Sequence, residues 1–341
     1  MRILIATDAW RPQINGVVQT FGEIARAMPG LGATLSFLNP EGLRSVALPT
    51  YPGIRLAVTG RRTIARRIAE EQPDAIHVAT EGPIGHLVRD HCLRRGLPFT
   101  TSFHTRFPDY VAARLPVPER WIWNWLRWFH AAAGAVMAAT PGLADELAAR
   151  GFQRVALWPR GVDTQAFRPR PGADLGVTRP VFLTVGRVAV EKNLEAFLAL
   201  DLPGTKVVVG DGPARSDLER RFPQVRFLGT RKGEALSEIY AAADVFVFPS
   251  RTDTFGLVLL EALASGLPVA AYPVPGPRDV IGQAPVGALD ADLRSACLRA
   301  LTLSPEACRR FALERTWEAS ARCFLANVLA AADRGPVRAA A

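Results

Sequence analysis

Two carboxylates bracket a predicted helix start in the second half of the chain. Residues 245–248 are apolar and predict a buried strand, and Phe255-Gly256 shortly after it predicts the start of a helix. Asp253 would lie in the loop at the carboxyl end of that strand, where open α/β sheets bind ligands, and Glu261 about two turns into the helix. Gly256 would let a ligand approach the first helical N–H groups, which attract anions. Carboxylates for sugar hydroxyls beside donors for a phosphate indicate a nucleotide-sugar site. The structural alternative makes Asp253 a helix cap and Glu261 a surface residue.

Two cations lie five positions apart on a second predicted loop. Arg187 and Lys192 follow Gly186 and the predicted strand 181–185. On one loop they could converge on a diphosphate, Arg187 as a planar fork of donors and Lys192 as a compact charge. Because a departing nucleoside diphosphate is anionic, fixed cations there would favour bond breaking. The alternative is a solvated charged surface.

Two glycine-containing segments could bring backbone close to a phosphate or nucleotide. Gly16 opens the first predicted helix and could approach the donor phosphate, or could serve only a turn. Gly210 and Gly212 belong to a G-D-G-P turn, but Arg215 stands where a dinucleotide fingerprint needs its third glycine. The dehydrogenase interpretation therefore fails.

His104 follows the predicted strand 99–103 in the first half. At a strand end its imidazole could donate to a sugar hydroxyl or to the leaving oxygen, although a single histidine is often structural. Arg106, Asp109 and Tyr110 are weaker candidates for acceptor contact.

Short apolar runs alternate with amphipathic segments of helical length in both halves of the chain. Such repeated β-α alternation predicts parallel sheets covered by helices on both faces, in two Rossmann-like domains. The predicted strands are residues 3–6, 34–38, 75–78, 99–103, 135–138, 181–185, 206–209, 225–228, 245–248 and 269–271. The predicted helices are residues 16–28, 61–70, 84–95, 143–149, 194–200, 214–221, 235–242 and 257–264, with a helical last segment from about Pro305.

The Asp253-x7-Glu261 pair and the Gly186–Lys192 segment resemble the motifs of the retaining GT-B glycosyltransferases of family GT4. The similarity extends to bacterial α-mannosyltransferases and to glucosyl- and glucuronosyl-diacylglycerol synthases. The family usually has Glu at the first acidic position, where this chain has Asp253. The shorter side chain either shifts donor preference or marks a subgroup.

The resemblance implies a role for each matching residue. Glu261 would bind the nucleotide ribose, Asp253 and the backbone of Phe255, Gly256 and Leu257 would hold the transferred sugar and phosphate, and Gly212 would lie near the base and ribose. His104, Arg187, Lys192 and Asp253 are the catalytic candidates. It also implies a fold in which two domains face each other across a cleft and the terminal helix crosses back to the first. Asp163, in a G-V-D segment of the linker, would mainly cap a turn.

We place the acceptor-side domain at residues 1–165, the donor-binding domain at 166–318, and the crossing helix and tail at 319–341. The first boundary rests on the stretch 158–180, which is rich in proline, arginine and glycine and has no clear period.

Composition bounds the partners and the compartment. The net charge of +9 fits an anionic membrane or substrate, and no nucleic-acid-binding signature accompanies it. The four cysteines are scattered, and no signal peptide or spanning segment is evident, so we expect a cytoplasmic protein, peripheral to the membrane at most. Asp290-Ala291-Asp292 sits late and peripheral, so no metal site and no cofactor is expected, with the nucleotide sugar as a substrate.

Four of the seven tryptophans lie in residues 121–130, and on a helix Trp121, Trp125 and Trp128 share one face beside Arg120 and Arg127. This pattern suits a membrane headgroup region or a lipid acceptor groove, or equally a tryptophan-rich core helix.

The sequence therefore predicts a hexosyltransferase that uses GDP-mannose, UDP-glucose or UDP-glucuronate and a lipid or glycan acceptor, most simply a membrane glycolipid or diacylglycerol. The alternatives are a nucleotide-sugar epimerase on the same fold and a non-catalytic nucleotide-sugar-binding protein.

Overall fold

The computed structural model describes residues 1–11, 13, 15–48, 51–104, 118–253 and 255–333, with side chains omitted at 47, 48, 51–55 and 333. The chain divides into two compact units. Unit 1 comprises Met1–Arg160 and the segment from Trp317 onward, and unit 2 comprises Gly161–Thr316. The unit boundaries thus lie five residues before the predicted linker boundary and two before the predicted terminal one.

Unit 1 is built on a six-stranded parallel sheet. Its strands are β1 (Arg2–Ala6), β2 (Thr34–Leu38), β5 (Ala75–Val78), β6 (Phe99–Phe103), β7 (Ala135–Ala138) and β8 (Val155–Leu157), in the order β2-β1-β5-β6-β7-β8. An antiparallel hairpin, β3 (Ser45–Leu48) and β4 (Tyr51–Ala57), lies outside this sheet. The helices of the described part are α1 (Gly16–Ala27), α2 (Arg61–Glu71), α3 (Pro83–Arg95), α4 (Glu119–Ala131), α5 (Pro141–Ala149) and the terminal α13 (Trp317–Asp333), with a 3₁₀ turn at Met28–Leu31.

Unit 2 carries a second six-stranded parallel sheet. Its strands are β9 (Val181–Val185), β10 (Thr205–Val209), β11 (Arg226–Phe227), β12 (Val245–Phe248), β13 (Val269–Ala271) and β14 (Gly287–Leu289), in the order β11-β10-β9-β12-β13-β14. Its helices are α6 (Leu194–Leu198), α7 (Arg215–Arg221), α8 (Gly233–Ala241), α9 (Leu257–Ala264), α10 (Pro275–Ile281), α11 (Leu293–Ala300) and α12 (Pro305–Leu313), with a 3₁₀ turn at Val190–Lys192.

The central strands of both sheets are buried along their length, as is usual for parallel strands, and most of their residues are apolar. In β12 all four side chains are buried, as are all five in β6. Burying such runs is the main favourable contribution to folding, at ~25 cal/mol per Å² of apolar surface.

The structure confirms two α/β domains with parallel sheets, and every predicted strand and helix is found within about two residues of its predicted ends. The terminal helix α13 belongs to unit 1, where Phe324 packs against Trp158 with ring centroids 4.7 Å apart. The predictions missed the hairpin, the edge strands β8 and β14, and the short helices α10 and α11.

Candidate active site

The strand order of unit 2 places the two charged loops side by side. Chain order reverses at β9 and β12, which are neighbours in the sheet, and a crevice opens at the carboxyl ends of parallel strands at such a switch point. The loop after β9 carries Arg187 and Lys192, and the loop after β12 carries Asp253. Residues 61 positions apart therefore meet.

Lys192 and Asp253 form a two-pronged ion pair. The Nζ atom of Lys192 lies 2.6 Å from Oδ1 and 2.8 Å from Oδ2 of the Asp253 carboxylate. The Lys192 side chain is 26% exposed and the Asp253 side chain 17%. A charged hydrogen bond with both oxygens is the stronger kind and fixes both side chains. The structure thus brings together the two catalytic candidates that the sequence placed on separate loops.

The loop after β9 and the loop after β12 are also joined by a hydrogen bond, and the second loop packs closely against α10. Asn193 adopts a left-handed backbone conformation (φ 51°), and its side-chain amide donates to the carbonyl of Pro249 at 3.0 Å. On the other side, Gly276 of α10 leaves so little room that a Cβ atom would lie 2.9 Å from the carbonyl oxygen of Asp253. The position of Asp253 is therefore set by backbone packing as well as by Lys192.

Arg187 stands apart from that ion pair. Its guanidinium lies 4.0 Å from the Glu191 carboxylate and its side chain is 40% exposed. The structure thus gives each cation its own carboxylate, and convergence of Arg187 and Lys192 on a diphosphate stays a prediction.

Gly212 supports the Arg187 loop by close backbone contact. A side chain at Gly212 would overlap the carbonyl of Val188, and Val188 in turn donates its N–H to Asp211 at 3.0 Å. The G-D-G-P turn and the loop after β9 are therefore one packed unit. This packing accounts for the glycine, and its predicted nearness to a base stays a prediction.

The start of α9 is exposed to a possible anion. Gly256 is the N-cap residue with φ 83°, and none of the described side chains caps the helix. Phe255 and Leu257 on either side are half-buried. Uncapped N–H groups at a helix start carry partial positive charge, which attracts phosphate.

The carboxylate of Glu261 accepts a hydrogen bond from a tyrosine of α8. The Tyr240 hydroxyl donates to Oε2 of Glu261 at 2.9 Å, and both residues are buried. Burial, and then the neighbouring Glu261 charge, raise the pKa of Tyr240 well above its usual range, so the phenol keeps its proton and stays a donor. Glu261 is therefore not the surface residue of the structural alternative.

In unit 1, Gly16 is exposed at the start of α1, but the helix is already capped. The side-chain oxygen of Asn15 accepts from the N–H groups of Val17 and Val18, both at 3.0 Å. Asn15 thus satisfies two of the donors expected to aid phosphate binding. A phosphate role for Gly16 itself stays a prediction.

His104 ends β6 within a chain of polar side chains. Its Nε2 lies 2.7 Å from Oγ of Ser102, and that oxygen lies 3.0 Å from Nε2 of His77. The guanidinium of Arg160 lies 3.4 Å from Nδ1 of His104. Burial, and then the charge of Arg160, lower the pKa of His104 well below its usual range, so the ring is neutral.

The tryptophans of α4 divide between the two faces of the helix. Trp121, Trp125 and Trp128 are 60%, 37% and 53% exposed, whereas Trp123 is 7% exposed and stacks on Phe103. The core-helix alternative is thus wrong for the first three. The Arg89 guanidinium lies 4.0 Å from the centroid of the Trp128 ring.

Some predicted residues fall outside the described part of the chain, namely Arg106, Asp109 and Tyr110. Asp163, in contrast, caps a turn as expected, accepting from the N–H groups of Gln165 and Ala166. Within the described ranges no three His, Cys, Asp or Glu side chains are grouped to hold a metal ion.

Sequence reasoning missed Tyr240, Asn193, Arg160 and His77. Tyr240 and His77 look like core residues of a helix and a strand. Only Asn193 had a usable signal, because asparagine beside a loop is enriched in left-handed conformations.

Comparisons with known proteins agree with this geometry. The model of glycosyltransferase family 4 matches residues 14–166, and that of glycosyl transferases group 1 matches residues 179–302. A GDP-mannose-dependent alpha-mannosyltransferase of Mycobacterium tuberculosis is 31% identical over 307 residues, covering 82% of this chain and 81% of the relative. An alpha-monoglucosyldiacylglycerol synthase of Streptococcus pneumoniae is 26% identical over 370 residues, covering 95% and 83%.

Among solved structures, sucrose-phosphate synthase from Thermosynechococcus elongatus superposes with a TM-score of 0.73 at 20% identity, over 95% of this chain and 97% of that one. The fold is thus that of the GT-B glycosyltransferases. The chain belongs to glycosyltransferase family 4, and it is a hexosyltransferase that uses a nucleotide-sugar donor.

Within the described residues, no helix combines the length and apolar character needed to cross a membrane.

Proposed function

We propose that the protein transfers mannose from GDP-mannose to a membrane lipid with retention of configuration, unit 2 binding the donor and unit 1 the acceptor. The observation that carries the donor assignment is the Lys192–Asp253 ion pair at the switch point of unit 2. The printed name of the mycobacterial relative supports GDP-mannose, and that of the streptococcal relative supports a diacylglycerol-type acceptor.

In this proposal donor binding exchanges partners within the ion pair. The diphosphate takes the Lys192 ammonium, and Asp253 is released to accept hydrogen bonds from the sugar hydroxyls. The start of α9 contributes further donors to the phosphate, so positive charge is fixed where the leaving group gains negative charge. This arrangement supplies from the protein the charge that a metal ion provides elsewhere, and we propose that turnover is metal-independent.

No residue of the described site is assigned as a covalent nucleophile, because Glu261 is buried against Tyr240 and Asp253, once released from Lys192, accepts hydrogen bonds from the sugar hydroxyls in this proposal. We therefore propose front-face displacement, in which the departing diphosphate oxygen accepts the proton of the acceptor hydroxyl.

A thermal-shift series with GDP-mannose, UDP-glucose and UDP-glucuronate, with and without EDTA, tests the donor. Stabilisation grows with ligand concentration relative to Kd, so a shift with GDP-mannose alone, unchanged by EDTA, is expected. A shift with a UDP-sugar alone would overturn the choice of nucleotide, and loss of the shift in EDTA would overturn metal independence.

Turnover separates the transferase from the alternatives. Radiolabelled GDP-mannose is incubated with and without vesicles containing diacylglycerol, and label is followed into the organic phase. We expect lipid-dependent label. Conversion of the donor without vesicles would indicate an epimerase, and binding without any turnover would indicate a nucleotide-sugar-binding protein.

We further propose that Trp121, Trp125 and Trp128 contact an anionic membrane. Exposed tryptophans beside the exposed Arg120 and Arg127 combine apolar insertion with attraction to anionic headgroups. Since a tryptophan buries about 150–250 Å², Trp121→Ala with Trp125→Ala should weaken binding to phosphatidylglycerol vesicles at least roughly tenfold.

The matched control is Leu313→Ala, an exposed apolar residue of unit 2. Equal binding by the double variant and the wild type would contradict the membrane contact of the tryptophans, and equal binding of the wild type to neutral and anionic vesicles would contradict the preference for an anionic membrane. Nucleotide-induced stabilisation should be the same in all variants.

A further inference from the structure

Arg89 of α3 is a buried cation whose charge is not balanced by a nearby carboxylate. The residue is 8% exposed, and within the described ranges no Asp or Glu lies at ion-pair distance from its guanidinium. The adjacent Asp90 is engaged elsewhere, with its Oδ2 atom 2.9 Å from Arg61 and 2.8 Å from Arg94. Burial lowers the pKa of Arg89, and the charge of Asp90 opposes this only in part. Because a buried charge without a counter-charge is costly, Arg89 would gain from an anion that arrives from outside the chain.

Helix α4 holds the Arg89 side chain in one position. Its Nε donates to the carbonyl of Phe129 at 2.9 Å, and its Nη2 donates to the carbonyl of Trp128 at 3.1 Å. The third nitrogen, Nη1, makes no hydrogen bond with the described residues, yet it is not sealed inside the protein. Since the side chain is already ordered, an anion that binds to Nη1 would cost little further conformational entropy.

His86, one helical turn before Arg89, joins this cation to the exposed tryptophans of α4. The His86 ring stacks on those of Trp125 and Trp128, with centroids 5.7 and 5.9 Å away and planes inclined by 26° and 25°. Burial, and then the charge of Arg89, lower the pKa of His86, so the ring is neutral at pH 7. The two indoles are thus held as a rigid platform, with the cation 4.0 Å from the centroid of the Trp128 ring.

We propose that Arg89 binds the phosphate of a single phospholipid through Nη1 when Trp125 and Trp128 enter the headgroup region of a membrane. Tryptophan side chains favour that region, where the lipid phosphates lie, and a guanidinium suits phosphate better than an ammonium does. The site rests on the membrane contact proposed above and goes beyond it, because it is one discrete, saturable site and not a general attraction between charges. The exposed Arg127, in contrast, already donates to Asn124 and to the Arg150 carbonyl.

The structural alternative is that Arg89 only caps the carbonyls at the end of α4. Arg154 is the matched control for that role, since its Nε and Nη2 donate to the carbonyls of Ala133 and Ala131 at 3.0 and 2.6 Å. Both arginines therefore carry one positive charge and make two bonds to the end of α4 or the turn after it. Among the described residues, Arg89 and not Arg154 lies over a tryptophan ring.

Binding to vesicles separates the two roles. Arg89→Gln should weaken binding to phosphatidylglycerol vesicles by roughly tenfold to a hundredfold, as for a lost hydrogen bond between charged groups, whereas Arg154→Gln should bind like the wild type. Both variants should lower the melting temperature of unit 1, since each loses two contacts with carbonyls. Equal vesicle binding by Arg89→Gln and the wild type, or equal losses in Arg89→Gln and Arg154→Gln, would overturn the phosphate site.

A measurement on the wild type keeps the test independent of how the variants fold. The Nε signal of Arg89 in nitrogen-15 arginine-labelled protein, assigned with Arg89→Lys, is followed during titration with dihexanoylphosphatidylglycerol below its micelle-forming concentration. Inorganic phosphate is titrated in parallel. We expect a saturable shift with the lipid and a much weaker response to the free ion. An unmoved Arg89 signal would overturn the proposal, and equal affinities for the two probes would overturn the choice of a lipid.

Failure of the transferase function would look different from failure of this site. It would appear as the absence of nucleotide-induced stabilisation in the wild type, which reports on unit 2 and does not involve Arg89. If the wild type binds no phosphatidylglycerol vesicles, both the membrane contact and the Arg89 site are wrong, whatever the result with nucleotides.

Discussion

The two units present candidate chemistry in opposite ways. In unit 2 the candidates are charged side chains on loops, and Lys192 and Asp253 neutralise each other at the end of the sheet. In unit 1 the candidate is the neutral ring of His104, which shares the hydroxyl of Ser102 with the buried ring of His77. An ion pair can exchange partners when an anion arrives, whereas a buried neutral ring has no charge to offer an anion.

The division extends to composition. All three lysines, Lys192, Lys206 and Lys232, lie in unit 2, and all five histidines lie in the first 130 residues, within unit 1. Unit 2 therefore holds the compact cations, whereas burial lowers the pKa of His77 and His104 in unit 1, so these two rings are neutral at pH 7. The difference suggests that the unit 2 site binds an anion and the His104 site of unit 1 a hydroxyl.

The largest expected effect is on unit 2. Lys192→Ala should reduce kcat/KM by about 2–4 kcal/mol in transition-state stabilisation, because it removes the compact cation proposed to face the leaving diphosphate. Steady-state kinetics with GDP-mannose measures it. Lys232→Ala, which removes an exposed lysine from the N-cap position of α8, is the control. Turnover by Lys192→Ala at the wild-type rate would refute the diphosphate role.

Lowering the pH should destabilise unit 1 more than unit 2. The folded pKa of His77, about 3, lies below its unfolded value near 6.5, so the unfolded chain binds a proton that the folded chain does not. The contribution of His77 to the free energy of unfolding is therefore fully present above pH 6.5 and is lost as the pH falls from 6.5 towards 3. About 2 kcal/mol of it is lost by pH 5. Calorimetry at pH 7 and pH 5 should show the transition of unit 1 moving down more than that of unit 2.

His77→Gln is the check on that assignment. The variant should be less stable at pH 7 but less sensitive to acid between pH 6.5 and 5, since one titrating site is gone. Parallel shifts of both transitions, or an acid sensitivity unchanged by His77→Gln, would contradict it.

The same contrast explains what could be predicted from sequence. The unit 2 candidates are close in sequence to strand ends: Lys192 follows β9 by seven residues and Asp253 follows β12 by five. Local spacing and the switch-point rule were enough to bring them together. The ion pair between them was not predictable, because a carboxylate and an ammonium assigned to different ligand groups become partners only when both loops fold.

The hydrogen-bonded polar side chains around His104 in unit 1 were not predicted, because they form no local pattern in the sequence. Arg160 and His104 are 56 positions apart, and His77 reads as one polar residue in a buried strand. Which atom of Ser102 or Tyr240 faces which neighbour depends on strand register and helix rotation, and spacing alone does not determine either. The edge strands β8 and β14 were also missed; each has three residues and is only partly buried, unlike the equally short but fully buried β13.

A smaller effect is expected from removing the buried hydroxyl of Tyr240 in unit 2. Tyr240→Phe removes the donor to Glu261 but keeps the ring packed on Phe246, whose centroid is 5.8 Å away. It should weaken nucleotide binding by about 1 kcal/mol, because Glu261 loses the bond that fixes its carboxylate. Calorimetric titration with GDP measures it. Tyr272→Phe, another buried tyrosine of unit 2, is the control, and equal affinities of both variants and the wild type would rule out the holding role.

The smallest expected effect tests whether the unit 2 site depends on its loops being tied together. Asn193→Gly keeps the left-handed backbone but loses the bond to the Pro249 carbonyl, at about 0.5–1 kcal/mol. Asn193→Ala loses the bond and adds backbone strain of about 1–2 kcal/mol, so it should be the more damaging of the two. We expect kcat/KM to be lowered by Asn193→Gly and to be lowered further by Asn193→Ala. If the glycine variant is as active as the wild type, the tether contributes nothing and Lys192 with Asp253 holds the loops unaided.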